Sequence, residues 1–121
     1  MTETVLVLGA SPKPGRYSFK AVQLLREYGH RVLPVNPYHG EVSGVKCIAS
    51  IAAVCEKVDT VTLYIRAELL KNDIDQLIAL APRRVIFNPG TESEEMAAKL
   101  ESAGIAVEEA CTLVLLRTNQ F

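Results

Sequence analysis

The chain has 121 residues, 49% of them hydrophobic and 22% charged, and its 13 basic and 14 acidic side chains leave a net charge of −1. That length suits one domain spanning residues 1–121, with a folded surface of roughly 6,000–7,000 Å² and a core of ordinary size. The balanced charge excludes a general nucleic-acid binder, no apolar run reaches the ~20 residues that span a bilayer, and Met1-Thr2-Glu3-Thr4 lacks the basic start of a secretion signal, so a soluble cytoplasmic protein is expected.

Thr4–Leu8 is apolar without alternation, the pattern of a strand covered on both faces. Residues 9–15 hold two glycines and two prolines and form a loop. A helix follows over 18–28, with Phe19, Val22 and Leu25 at helical spacing, Ser18 as its N-cap and Gly29 as the glycine that ends it. Arg31–Val35 is a second strand, closed by Asn36-Pro37, and residues 38–46 read as an irregular connection. A short helix is expected over 50–56, a third strand over 59–65, and a helix over 67–81 stopped by Pro82. Arg84–Phe87 is a fourth strand, 91–103 a helix capped by Thr91 or Ser93, and 105–108 a fifth strand. Residues 112–116 close the series as helix or strand.

Strand and helix alternate throughout, which implies an α/β protein with a parallel sheet, right-handed crossovers and helices on both faces: three layers, α/β/α. The sheet has five strands, or six if 112–116 is extended. Ligands of such sheets bind outside the carboxyl ends of the strands. Loops 9–17, 36–40 and 64–68 follow strand ends that can meet there, with 88–92 beside them.

The first loop opens a helix, where backbone N–H groups favour phosphate. Gly9-Ala10-Ser11 lacks the second glycine of a dinucleotide fingerprint, and Arg16-Tyr17 stands where a nucleotide-hydrolysing loop has Lys-Ser/Thr. Lys13, Arg16 and Lys20 supply positive charge; each alone reads better as solvated surface, and it is their concentration in one glycine-containing β–α loop that points to a phosphate. Asn36 stands where NAD-binding sheets commonly place a ribose-binding acid, which favours a phosphorylated ribose over NAD; its plainer reading is a turn residue before Pro37.

Gly9-Ala10-Ser11, Arg16-Tyr17-Ser18, Gly29-His30-Arg31-Val32, Pro34-Val35-Asn36-Pro37, Asn88-Pro89-Gly90 and Gly104-Ile105 with Cys111 together resemble the small stand-alone CoA-binding domain family. The resemblance covers nearly the whole chain. It implies a Rossmann-like fold, like that of the CoA-binding domain of the succinyl-CoA synthetase alpha subunit, with coenzyme A or an acyl-CoA as ligand. By that analogy the loop 9–18, including Gly9, Ala10, Ser11, Lys13, Arg16, Tyr17 and Ser18, holds the pyrophosphate. Asn36 and Pro37 lie by the adenosine, and Tyr64, Ile65 and Arg66 line the far side of the adenine or the pantetheine path. The chain departs from the family at Asn88, where many relatives have Gln, and at Leu115-Leu116-Arg117, where they carry an acidic-His-Arg tail.

No metal cluster and no catalytic residue set is read from the sequence. His30 is taken as a surface residue and His39 as one that could touch a phosphate, while Cys47, Cys55 and Cys111 are read as small buried hydrophobes. The leading expectation is a non-catalytic module holding coenzyme A at the carboxyl edge. The alternatives are a small NAD(P)-dependent or acyl-CoA-handling enzyme, and a protein-interaction domain that has lost its ligand. Partners beyond the small molecule are a second copy through the apolar stretch 112–116, or another protein; no nucleic acid or membrane is expected.

Overall fold

In a computed structural model, residues 2–38 and 40–121 are described. Their surface of 6602 Å² falls inside the range that chain length sets. The elements in order are β1 (Thr4–Leu8), α1 (Tyr17–Glu27), β2 (Arg31–Val35), β3 (Glu41–Val42), β4 (Val45–Lys46), β5 (Thr60–Leu63), α2 (Ala67–Leu80), β6 (Arg84–Phe87), α3 (Glu94–Ser102), β7 (Ala106–Glu109) and α4 (Thr112–Arg117), with a 3-10 turn at Ile51–Ala53.

Five strands pair in parallel in the order β2-β1-β5-β6-β7. One further parallel bridge joins Val35, the last residue of β2, to Ile48, on the side of β2 away from β1, where a sixth strand would begin. The chain therefore reverses direction of winding between β1 and β5, and the loops after these strands open at that switch point.

Alternate residues of each strand feed opposite layers, as a period of two requires. Leu6, Leu8, Val61, Leu63, Val85 and Phe87 pack with Leu70, Ile74 and Leu77 of α2 and Met96 and Leu100 of α3. Val5, Val7 and Val32 pack on the other face with Val22 and Leu25 of α1 and Leu116 of α4. Around β1 both faces are apolar, which explains why Thr4–Leu8 reads as an unbroken hydrophobic run. The three-layer α/β/α class and the five-stranded parallel sheet follow the sequence reading.

Several local expectations are corrected. Residues 112–116 are helical: Thr112, Leu113 and Leu116 turn inward while Val114 is 53% exposed, so there is no sixth strand there. The helix expected over 50–56 shrinks to the Ile51–Ala53 turn. The irregular connection contains the β3–β4 hairpin, turned by Ser43 and Gly44, both at positive φ, the geometry of a two-residue loop matched to strand twist. Helix α3 begins after Ser93, whose Oγ accepts the Met96 N–H, and not after Thr91, whose hydroxyl donates to Asn88 O.

The amino edge of the sheet is tied by charge. Arg84 donates to Thr60 Oγ1 at 2.8 Å and to Glu108 Oε1 at 3.0 Å, and its guanidinium lies 4.5 Å from the centre of the Phe121 ring. Glu3 accepts from the Thr60 hydroxyl at 2.5 Å, and its N–H donates to His30 Nδ1 at 3.0 Å. His30 is thus partly buried structure, its ring 5.1 Å from that of Phe121 and tilted 58° to it, and not free surface. Among the described residues no helix is long and apolar enough to cross a membrane.

Candidate functional site

Three adjoining cavities run along the carboxyl edge. The largest, about 600 Å³, lies beyond β1 and β2 and is lined by Gly9, Val35, Asn36, Pro37, Tyr38, Ser50, Ile51, Ile65 and Leu69, with Asn72 and Asp73 of α2. The next, about 400 Å³, is lined by Gly9, Ser11, Lys13, Arg16, Tyr17, Ser18, Asn36 and Tyr64. A third of about 210 Å³ lies among Tyr17, Tyr64, Asn88, Pro89, Cys111 and Leu113. Gly9 and Asn36 border the first two, and Tyr17 and Tyr64 border the second and third, so the three form one path with its cations in the middle.

Gly9 permits the junction. Its φ is +88°, which a side chain disfavours, and a Cβ there would stand 2.5 Å from Ile65 Cγ2 and 3.1 Å from the Tyr64 carbonyl carbon. The ends of β1 and β5 can approach this closely only over a glycine. The Gly9 and Ala10 amides both donate to Val35 O, which locks the first loop to the end of β2.

The first loop spends most of its amides on itself. Ser11 N–H donates to Ser18 Oγ, Lys13 N–H to Ser11 Oγ, and Arg16 N–H to Lys13 O. Ser18 is accordingly not the helix N-cap. Helix α1 starts at Tyr17, and the Ser18 hydroxyl faces back to staple the loop. The amides left for a ligand are those of Gly15 and of the first helical turn, which have no partner within a helix by its geometry. Gly15 has ordinary φ and nothing within 4 Å of a Cβ, so neither backbone nor packing asks for glycine there.

Among the described residues, neither Lys13 nor Arg16 has a carboxylate within 4 Å. Lys20 instead extends over the Tyr17 ring, its Nζ 5.5 Å from the centroid. Burial pushes the Tyr64 phenol up to about 12, so it remains a neutral hydroxyl between the second and third cavities.

Asn36 is a framework residue. Its Nδ2 donates to Ala10 O at 2.6 Å and its Oδ1 accepts the Tyr38 N–H at 2.7 Å, which clamps the second loop to the first. Asn88 does the same at the far end. Buried at 2% exposure, it donates to Thr62 Oγ1 and Leu63 O and accepts the Thr112 N–H, fixing the turn that carries Cys111.

This chain matches the CoA binding domain family over residues 3–117. It belongs to that family. A solved structure of an uncharacterised protein, 41% identical, superposes with a TM-score of 0.95 over 100% of this chain and 99% of its own. The uncharacterised protein YneT of Bacillus subtilis is 26% identical over 106 residues, 88% of this chain and 78% of its own length. Acetate–CoA ligase (ADP-forming) I of Archaeoglobus fulgidus is 30% identical over 74 residues, 61% of this chain but only 11% of that enzyme.

Against this CoA binding domain, the residues expected from sequence divide in three. Gly9, Ser11, Lys13, Arg16, Tyr17, Ser18, Asn36, Pro37, Tyr64 and Ile65 all border the path. Ala10 is fully buried and lines none of the three cavities; its carbonyl accepts from Asn36, which does. Arg66 is an exposed residue ahead of α2 and lines none of the three cavities. His39 lies outside the described residues. Of the cysteines, Cys55 is exposed and not buried as expected, while Cys47 and Cys111 are half-buried. The sequence reading missed Ser50, Leu69, Asn72 and Asp73, and nothing in a mid-helix Asn-Asp pair distinguishes a cavity wall from a solvated face.

Proposed function

We propose that this protein binds coenzyme A, or an acyl-CoA, along the carboxyl edge of its sheet. The adenosine occupies the largest cavity, the pyrophosphate lies against Lys13, Arg16 and the start of α1, and the pantetheine arm runs past Tyr64 toward Cys111. The observation that carries this reading is the order of the path: a wide pocket, then unpaired cations at a helix N-terminus, then a narrower pocket bordered by Tyr17, Pro89 and Leu113. That order matches a ligand with a base at one end, a diphosphate in the middle and a slender uncharged arm at the other.

Family membership supports coenzyme A over other ligands of this shape. Gly15 supports the phosphate position, because a glycine that neither backbone nor packing requires fits a backbone approached closely by a ligand. The residues named here bind and orient; none is assigned a catalytic role. The whole chain acts as one binding domain, and the ligase activity of its much longer relative is not transferred to it.

The test is calorimetric titration of coenzyme A into the native protein and Arg16→Glu. A saturable heat that weakens at least tenfold on charge reversal, about 1.4 kcal/mol, is expected, since an anion loses a counter-charge and meets a like one. An unchanged affinity in Arg16→Glu would remove the first loop from the site.

A further inference from the structure

The largest cavity differs in charge from its neighbour. Lys13 and Arg16 line the smaller one. Among the described residues no lysine or arginine lines the larger one, and its one carboxylate is Asp73. Asp73 sits half-buried in α2 beside Asn72, and desolvation raises its pKa above the usual carboxylate value. The basic residues near it in sequence are occupied elsewhere or lie off the path: Lys71 pairs with Glu95 at 3.7 Å, and Arg66 lines none of the cavities. Asn36, whose neutrality alone would admit a phosphate, has its amide committed to Ala10 and Tyr38.

Coenzyme A differs from dephospho-CoA by a ribose 3′-phosphate carrying about −1.5 to −2 charges near neutral pH, like other phosphate monoesters. Proteins hold such a group with arginine, lysine or helix amides. In this cavity it would meet a carboxylate in partly desolvated surroundings, where like charges oppose each other more strongly than in water. A ribose with both hydroxyls free would instead offer Asp73 a donor.

Resting on the coenzyme A reading above, we propose that the adenosine cavity does not select the 3′-phosphate. Its ligand class is an adenosine 5′-diphosphate conjugate whose ribose hydroxyls donate to Asp73, and dephospho-CoA binds more tightly than coenzyme A or within threefold of it.

Calorimetric titrations with both ligands at pH 8, where an ordinary imidazole is neutral, test this on the native protein and on Asp73→Asn. The native protein is expected to bind dephospho-CoA more tightly than coenzyme A or within threefold of it, and Asp73→Asn to move the ratio at least threefold toward coenzyme A. A native preference for coenzyme A beyond threefold would overturn the inference while leaving the coenzyme A reading intact. A ratio unmoved in Asp73→Asn would overturn the role of Asp73. Absence of heat with either ligand would overturn both readings together. The native comparison decides the selectivity even if the variant fails to fold.

Discussion

At the amino edge of the sheet, Arg84 lies 3.0 Å from Glu108, 3.5 Å from Glu3 and 4.5 Å from the centre of the Phe121 ring. At the carboxyl edge, among the described residues, Lys13 and Arg16 have no carboxylate within 4 Å. Both edges gather cations, but one neutralises them internally and the other leaves them facing a cavity. An arginine already held by carboxylates and an aromatic face has little to offer an anion, and its removal is felt as lost stability. An arginine held by nothing contributes little to stability and is available to a ligand. The two edges should therefore respond differently to the same kind of substitution.

The largest effect is expected where the carboxyl edge itself is assembled. Gly9→Ala places a Cβ 2.5 Å from Ile65 Cγ2 at a φ of +88°. The left-handed backbone costs about 1–2 kcal/mol and the overlap adds about as much. Thermal melting should fall by about 10 °C, and coenzyme A binding should weaken in the folded fraction. A variant with native melting would show that β1 and β5 do not meet over this glycine.

Arg84→Met removes the amino-edge cation while keeping much of its apolar length. Its side chain is only 16% exposed, so the loss should lie between that of a surface pair and a buried one, about 2 kcal/mol. Coenzyme A affinity should stay within twofold, which is the contrast with Arg16→Glu. Loss of ligand binding in Arg84→Met with native stability would reverse the roles of the two edges.

The smallest effect concerns pH. His30 accepts the Glu3 N–H, and desolvation holds its pKa below the usual 6.5. The unfolded chain therefore takes up the proton first as pH falls. The stability His30 contributes is complete above pH 6.5 and is lost as pH drops through the unfolded value toward the lower folded one. Melting temperature should decline between pH 7 and 5.5, and His30→Gln should show a flatter profile over that window. Parallel profiles would take His30 out of the amino-edge cluster.

The sheet and its helices were legible because the central strands β1 and β5 are buried on both faces and each long helix repeats its apolar residues at three-to-four spacing. Leu70, Ile74 and Leu77 are an example, all buried on one side of α2. The β3–β4 hairpin was not legible, since strands of two residues leave no alternation to detect. The run 112–116 was ambiguous because an apolar five-residue stretch fits either period; only packing against α1 makes it a helix. Ser18 reads as a cap in sequence because a serine at a helix start suits two jobs, capping the helix or stapling the loop, and in the fold the Ser11 amide claims it. In the candidate site, the glycine-and-cation loop announced itself by composition. The α2 wall did not: Asn72 and Asp73 look like solvated helix residues until the fold sets them on a cavity. Arg66 shows the converse, being next to Ile65 in sequence but off the path in space.

The most direct measurement is an amide NMR titration of the native protein with coenzyme A. Shifts are expected at Gly15, Tyr17, Ser18, Ile65 and Asn72, with Arg84, Ala106 and Gln120 unmoved. Shifts centred on Arg84, Ala106 and Gln120, with the first loop silent, would contradict binding at the carboxyl edge.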